Sequence, residues 1–357
     1  MLLILLRSYL TWLLISAFVC LIGTISALFS DPPQAGEFFV SYVYHWNGLV
    51  VATSGFGALH FGMSTYKQQY NYLISEILYF QTDEVVVEVY FELEKLYSIW
   101  NKQFIAIPVF IVGTSILYIC GYPMKGLPKY FLWLSSCSMF YAGGLMLAGG
   151  IYSIRLFNTL ERNIEKIELQ NNVHILELEN FNLYLSTLFL TATIALYFAF
   201  RGTLTANFTF VPPYEWVDYL VHLFVPSPDN YKSVRNLLIY PIIIFLPFAA
   251  FAAFYVRLVL RKIYLNSIKR KILEIDELAK PAVENTASSY TVDRIIEIRN
   301  AVMDLKEKII KNNKVLPLVD IKDSPSIILL AIILIQFIIH NDSTIKSFLI
   351  GLFGFTM

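Results

Sequence analysis

Charge is scarce in this chain. Only 15% of its 357 residues are Asp, Glu, Lys or Arg, against about a quarter in a soluble globular domain. That excludes a solvated surface over most of the molecule. Cysteine is scarce too: Cys20, Cys120 and Cys137 each sit in an apolar stretch, with no CxxC spacing. This excludes a disulfide scaffold or a zinc ribbon and leaves three small apolar side chains. No P-loop, GxGxxG, GxSxG or HExxH occurs. The chain therefore reads as non-enzymatic, with no cofactor and no metal.

Ionisable groups are also missing from the apolar stretches, where His60 is the one titratable side chain well inside. A proton-coupled transporter carries a buried carboxylate or lysine there, and a voltage sensor carries an arginine series. Neither pattern is found.

What is abundant is apolar and aromatic: 57% of the residues are hydrophobic, with 28 Phe and 23 Tyr. That composition suits lipid as solvent, where a helical span takes about 20 apolar residues. Segments 8–29, 103–121, 130–153, 183–200 and 237–259 reach that length. The first reads as a retained span, because its apolar stretch exceeds the ~7–15 residues of a signal peptide and Arg7 comes late. A weaker sixth, 47–65, carries Gly48, Gly55, Gly57, Gly62 and several hydroxyls. A shorter patch, 325–340, is followed by the polar residues 341–346 and an apolar tail. The expected fold is all-α: a polytopic membrane protein with about six transmembrane helices, cytoplasmic amphipathic extensions and a short C-terminal hydrophobic hairpin, re-entrant or interfacial.

Basic residues set the expected orientation, since cytoplasmic flanks carry the excess of Lys and Arg. With six spans and a cytoplasmic N-terminus, 21 of the 27 basic residues fall inside, fourteen of them between Arg257 and Lys322. Loop 30–46 has none. Removing 47–65 while keeping the N-terminus inside would export those fourteen. The localisation expected is the cell (inner or plasma) membrane. The divisions are a first hairpin 1–65, cytoplasmic helices 66–102, a second hairpin 103–153, a cytoplasmic helix 154–182, a third hairpin 183–259 with outer loop 201–236, a cytoplasmic helical hairpin 260–324, and the C-terminal hairpin 325–357.

The cluster Arg257, Arg261, Lys262, Lys269, Arg270 and Lys271 ends the last strong span and is expected to face anionic lipid headgroups. Beyond it, Leu265, Ile268, Ile272 and Ile275, then Ala279, repeat three and four apart, as do Ile295, Ile298, Val302, Leu305 and Ile309. This is coiled-coil-like spacing with one buried seam per helix. The intervening KPAVENTASSY reads as a turn. In 83–100, Glu84, Glu88 and Glu92 share one face, and Val86, Val89, Tyr90, Leu93, Tyr97 and Trp100 the other. Six acids in 76–94 are the expected partners of the 257–271 cations in a docked bundle.

Candidate functional residues follow from this layout. His60 is a lining or packing candidate. Gly143, Gly144, Gly149 and Gly150 have the small-residue spacing that lets helices approach in lipid. Pro241 and Pro247 remove backbone hydrogen bonds and permit a bend. Asp218 and His222, four apart, are half an acid–base or metal pair with no third member. Anionic lipid is the expected partner, nucleic acid is not, and both a homo-oligomer and a soluble protein on the cytoplasmic seams fit the pattern. The function expected is a passive pore, channel or membrane-permeabilising effector controlled by its cytoplasmic bundle. Two alternatives stay open: a membrane-anchored scaffold that recruits a soluble partner, and an intramembrane or interfacial lipid-acting enzyme.

Overall fold

The computed structural model describes residues 1–28, 46–120, 127–170, 175–205, 231–286 and 321–341, with Asn300 and Met303. It is almost entirely helical. The helices are α1 (Leu2–Leu28), α2 (Trp46–Tyr72), α3 (Asp83–Tyr97), α4 (Ile99–Cys120), α5 (Leu127–Arg162), α6 (Ile175–Thr205), α7 (Tyr231–Thr286) and α8 (Ser324–Asn341). Four described stretches are long and apolar enough to cross a membrane: Leu2–Ile22, Ile99–Ile116, Cys137–Arg162 and Glu177–Arg201. Many of their apolar side chains point outward. Leu3 is 81% exposed and Phe104 78%, an apolar surface compatible with lipid. The expected spans 47–65 and 237–259 lie within α2 and α7.

The core sits at one end of this bundle. There α2 runs into a π-helical turn, Leu73–Ile77, whose Leu73, Ile74 and Ile77 are buried. The turn delivers the chain into β1 (Leu78–Phe80), which pairs antiparallel with β2 (Ile167–Leu169) in the register Leu78↔Leu169, Tyr79↔Glu168 and Phe80↔Ile167. A two-stranded sheet is thus added to the expected all-α architecture. It ties segment 66–102 to segment 154–182, and flanking bonds from Gln81 N to Lys166 O and from Gln170 N to Ile77 O, each 3.0 Å, extend it. Around it pack Val85, Val89, Leu93 and Leu96 of α3, Leu156, Phe157 and Leu160 of α5, Phe181 and Tyr184 of α6, and Val259, Leu260 and Ile263 of α7.

Helix α3 ends one residue before α4 begins. Ser98 is extended (φ −68°, ψ 118°) and its Oγ accepts from the Asn101 amide at 3.3 Å, a serine N-cap for α4. The stripe that α3 buries is Val85, Val89, Leu93 and Leu96, while Tyr90 and Trp100, expected on the buried face, are exposed.

Helix α7 is 56 residues long, about 84 Å at ~1.5 Å per residue. It runs unbroken through Pro241, Pro247 and Pro281. No break in the helix marks the expected division near 259, and the expected turn at 280–290 is helical as far as Thr286. Helix α8 is one continuous helix. The second limb of the expected C-terminal hairpin lies outside the described residues.

Candidate functional site: a buried ion pair joining α6, α7 and α8

Arg257 was expected at the headgroups. Its side chain is instead 2% exposed and meets the carboxylate of Asp323, which is 0% exposed. One guanidinium nitrogen, Nη1, contacts Asp323 Oδ2. The other, Nη2, donates to Asp323 Oδ1 at 2.9 Å and to Ser186 Oγ at 2.8 Å. Asp323 closes a 3-10 turn, Ile321–Asp323, directly before α8. A carboxylate there complements the positive end of the helix dipole. Three elements distant in sequence are thus clamped by one fork-shaped contact. Such a pair adds little net stability, but removing one partner strands the other charge at a cost of about 3–5 kcal/mol.

The surroundings of the pair are polar and incompletely satisfied. Ser186 donates in turn to Asn182 O at 3.2 Å. Asn182 Oδ1 and Ser326 Oγ are out of solvent without a hydrogen-bond partner. A buried acceptor left so costs about 1–3 kcal/mol. Further along the α6–α8 contact the packing is apolar, with Phe200 and Ile333 both buried and Leu196, Tyr197, Leu330 and Phe337 around them. With Asp323 beside Ser186 at one end and Ile333 beside Phe200 at the other, α8 runs parallel to α6.

A second buried cation lies at the start of α4. Lys102 is 5% exposed, with its ammonium 4.2 Å from the Tyr66 ring centroid. Nearby, Tyr97 donates to Asn71 Oδ1 at 2.7 Å, Tyr70 to Ser153 Oγ at 2.9 Å and Tyr152 to Asn101 O at 3.1 Å. Burial pushes the Tyr70 phenol up to about 12 and raises that of Tyr97 still further. Both stay neutral donors at physiological pH.

Below the ion pair, α7 docks on the sheet end. Lys262 pairs with Glu161 and Arg270 with Glu168. Tyr255 donates to Glu161 Oε2 at 2.7 Å, and Asn266 to Ile164 O at 2.9 Å. The described acid partners of α7 here come from 154–182 rather than from the expected 76–94. Of those acids, Glu88 accepts from Asn163 at 3.0 Å and Glu92 pairs with Lys95 within α3.

The remaining candidates are scattered. His60 is half-buried in a shallow groove of about 260 Å³ with Thr11, Trp12, Ile15 and Phe56, and its Nδ1 has no partner. A Cβ on Gly144 would lie 2.7 Å from Ala106 Cα, and one on Gly150 2.9 Å from Phe248 Cε1, whereas Gly143 and Gly149 have nothing within 4 Å. Pro247 is exposed. Among the expected seam residues, Leu265 is 43% exposed and Ile268 is partly buried against the core. The stripe that α7 buries is rotated from it, through Val256, Val259, Leu260, Ile263 and Ser267, because it continues the face already packed on α5 and α6. Arg261 is half-buried, Lys269 exposed, and the Lys271 side chain lies outside the description. Asp218, His222 and the 291–312 seam lie outside the described residues, and so do the side chains of Ile275 and Pro241. Among the described residues, no three His, Cys, Asp or Glu come together as a metal site.

Comparison with protein-family models, with curated proteins and with solved structures finds no match. The residues alone carry the functional argument. Those that sequence reasoning passed over are Asp323, Ser186, Asn182, Ser326 and Lys102. A usable signal existed for Asp323: an acid directly before an apolar helical run is a helix-start pattern.

Proposed function

We propose that this chain is a multi-pass membrane protein whose helices form a passive, controlled pathway for small solutes, with six spans, a cytoplasmic N-terminus and the sheet end in the cytosol. The observation that carries the reading is the continuity of α7. One unbroken helix contains the apolar segment 237–259, the Arg257 clamp, and the Lys262 and Arg270 contacts to the sheet end. A change in how the sheet end holds α7 is therefore delivered as a movement at the clamp without any hinge between them. The controlling part is the docked assembly of sheet, α3 and the ends of α5 and α7.

The test is solute release from liposomes containing the purified protein. Glu161→Gln with Glu168→Gln, which loosens α7 from the sheet end, is expected to change the release rate several-fold. Absence of release from the parent and from every loosened variant counts against a permeation role.

One observation favours recruitment of a soluble partner. Helix α3 turns Val87, Tyr90 and Phe91 outward, Val87 being 68% exposed, between the acids Glu84, Glu88 and Glu94. A partner presenting apolar and basic side chains fits that face. Loss of a cross-linked partner on Val87→Asp and Phe91→Ser, with folding retained, would favour recruitment over permeation.

A further inference from the structure

We infer that the permeation path runs along the seam between α6 and α8, that α8 is the plug that closes it, and that the solutes it passes are small anions; this rests on the permeation reading above. Helix α6 carries one stripe at helical spacing, Asn182, Ser186, Phe189, Thr193 and Phe200, four, three, four and seven apart; Ser186 and Phe200 meet the α8 side through the Arg257–Asp323 clamp and Ile333, while Phe189 packs on Phe254 of α7. Three of the five are polar, and all three are buried, Asn182 at 5%, Ser186 at 3% and Thr193 at 0% exposure. A polar stripe of this kind normally faces water or a hydrogen-bonding neighbour. Thr193 Oγ1 bonds back to Phe189 O within α6 and Ser186 is held by Arg257 and by Asn182 O, but Asn182 Oδ1 and, in the first turn of α8, Ser326 Oγ lack partners. Such a shortfall is explained if the stripe is the wall of an aqueous route in a second state, with water supplying the missing bonds.

Helix α8 has the properties of a removable element. Between Ser324 and Asn341 it carries no Asp, Glu, Lys or Arg. Its outer face, Ile328, Leu334 and Ile335, is exposed and apolar, so lipid accepts it on either side of a displacement. At the sheet end Asp323, the residue directly before it, sits in the fork of Arg257. Once Asp323 withdraws, Arg257 and Ser186 remain on the wall. A fixed guanidinium at a narrow mouth concentrates anions and repels cations.

The experiment uses the full chain with Cys20, Cys120 and Cys137 changed to Ala, in liposomes, with chloride and potassium fluxes read separately. Asp323→Asn is expected to raise chloride flux at least tenfold. Asn182→Cys and Thr193→Cys, each added to that background, should then react with a charged, membrane-impermeant thiol reagent and block the flux, while Val112→Cys, which faces lipid, does not. Adding Arg257→Gln to Asp323→Asn should abolish the preference for chloride. The swap Arg257→Asp with Asp323→Arg should return flux to the parent level. A swap that leaks like Asp323→Asn would assign the leak to misfolding and overturn the inference. So would flux that rises while the thiols at positions 182 and 193 stay unreactive, which keeps a pore but moves its path, or reactivity already equal in the parent. If no variant conducts, the permeation reading itself falls.

Discussion

The backbone amide of Leu169 in β2 donates to Ser267 Oγ in α7 at 3.0 Å, across 98 positions of sequence. This bond joins the outer edge of the small sheet to the buried stripe of the long helix. Ser267 is 3% exposed and Leu169 half-buried, so water has only partial access to the bond. Ser267→Ala strands the Leu169 amide, at a cost of about 1–3 kcal/mol. Hydrogen exchange should show the Leu169 amide protected in the parent and exchanging roughly ten- to a hundredfold faster in the variant. Unchanged exchange would mean that the sheet holds without α7.

The glycines of α5 separate packing from mere smallness. Gly144 faces the backbone of Ala106, and a backbone cannot rotate away as a side chain does. Gly144→Val is therefore expected to force α4 and α5 apart and cost about 1–3 kcal/mol. Gly143→Ala, with open space at its Cβ, is expected to be neutral or slightly stabilising, since alanine favours the helix by up to about 1 kcal/mol. Thermal unfolding in detergent of the two variants side by side checks the contrast.

The Arg257–Asp323 pair should show strong non-additivity. Either Arg257→Met or Asp323→Leu leaves an uncompensated buried charge and should lower stability by about 3–5 kcal/mol, whereas the double variant, which removes both charges, should recover most of the loss. A double variant as unstable as the sum of the singles would mean that the two side chains act through different neighbours. Stability is the readout here, so the outcome is independent of any flux.

Much of the helical layout was legible because lipid-facing helices need long apolar runs, and runs are what a sequence displays. The described residues of the six expected spans fall on helices for that reason, and four described stretches are long and apolar enough to cross a membrane. The sheet was not legible. Strands of three residues, Leu78–Phe80 and Ile167–Leu169, are too short to show alternation, and their pairing depends on α2 packing against α5 and α6 to bring them together. The seam of α7 was misplaced by a partial turn, since Leu265 and Ile268, three apart, fit a helical seam as well as Ile263 and Ser267, four apart. Only the packed partner decides between such registers. Arg257 was assigned to lipid because positive charge after a span usually faces headgroups, and its acid lies 66 residues on, where no local pattern points to it.

The parallel course of α6 and α8 makes a topological prediction. Asp323 shares the clamp with Ser186, and Ile333 packs with Phe200, so the far ends of both helices lie on the same side of the bundle. If α6 leaves the cytosol, as proposed above from the distribution of basic residues, Asn341 sits at the outer face and α8 reaches across most of the hydrocarbon. Its 18 residues give about 27 Å at ~1.5 Å each, close to the ~30 Å of the apolar layer. In intact cells, a cysteine in place of Asn341 should react with an impermeant thiol reagent added outside, and so should one in place of Arg201. A cysteine in place of Glu165, beside the sheet, should react only after the membrane is opened. Labelling of position 165 from outside would invert the orientation. Labelling of 201 but not 341 would leave the orientation standing and show that α8 stops within the membrane.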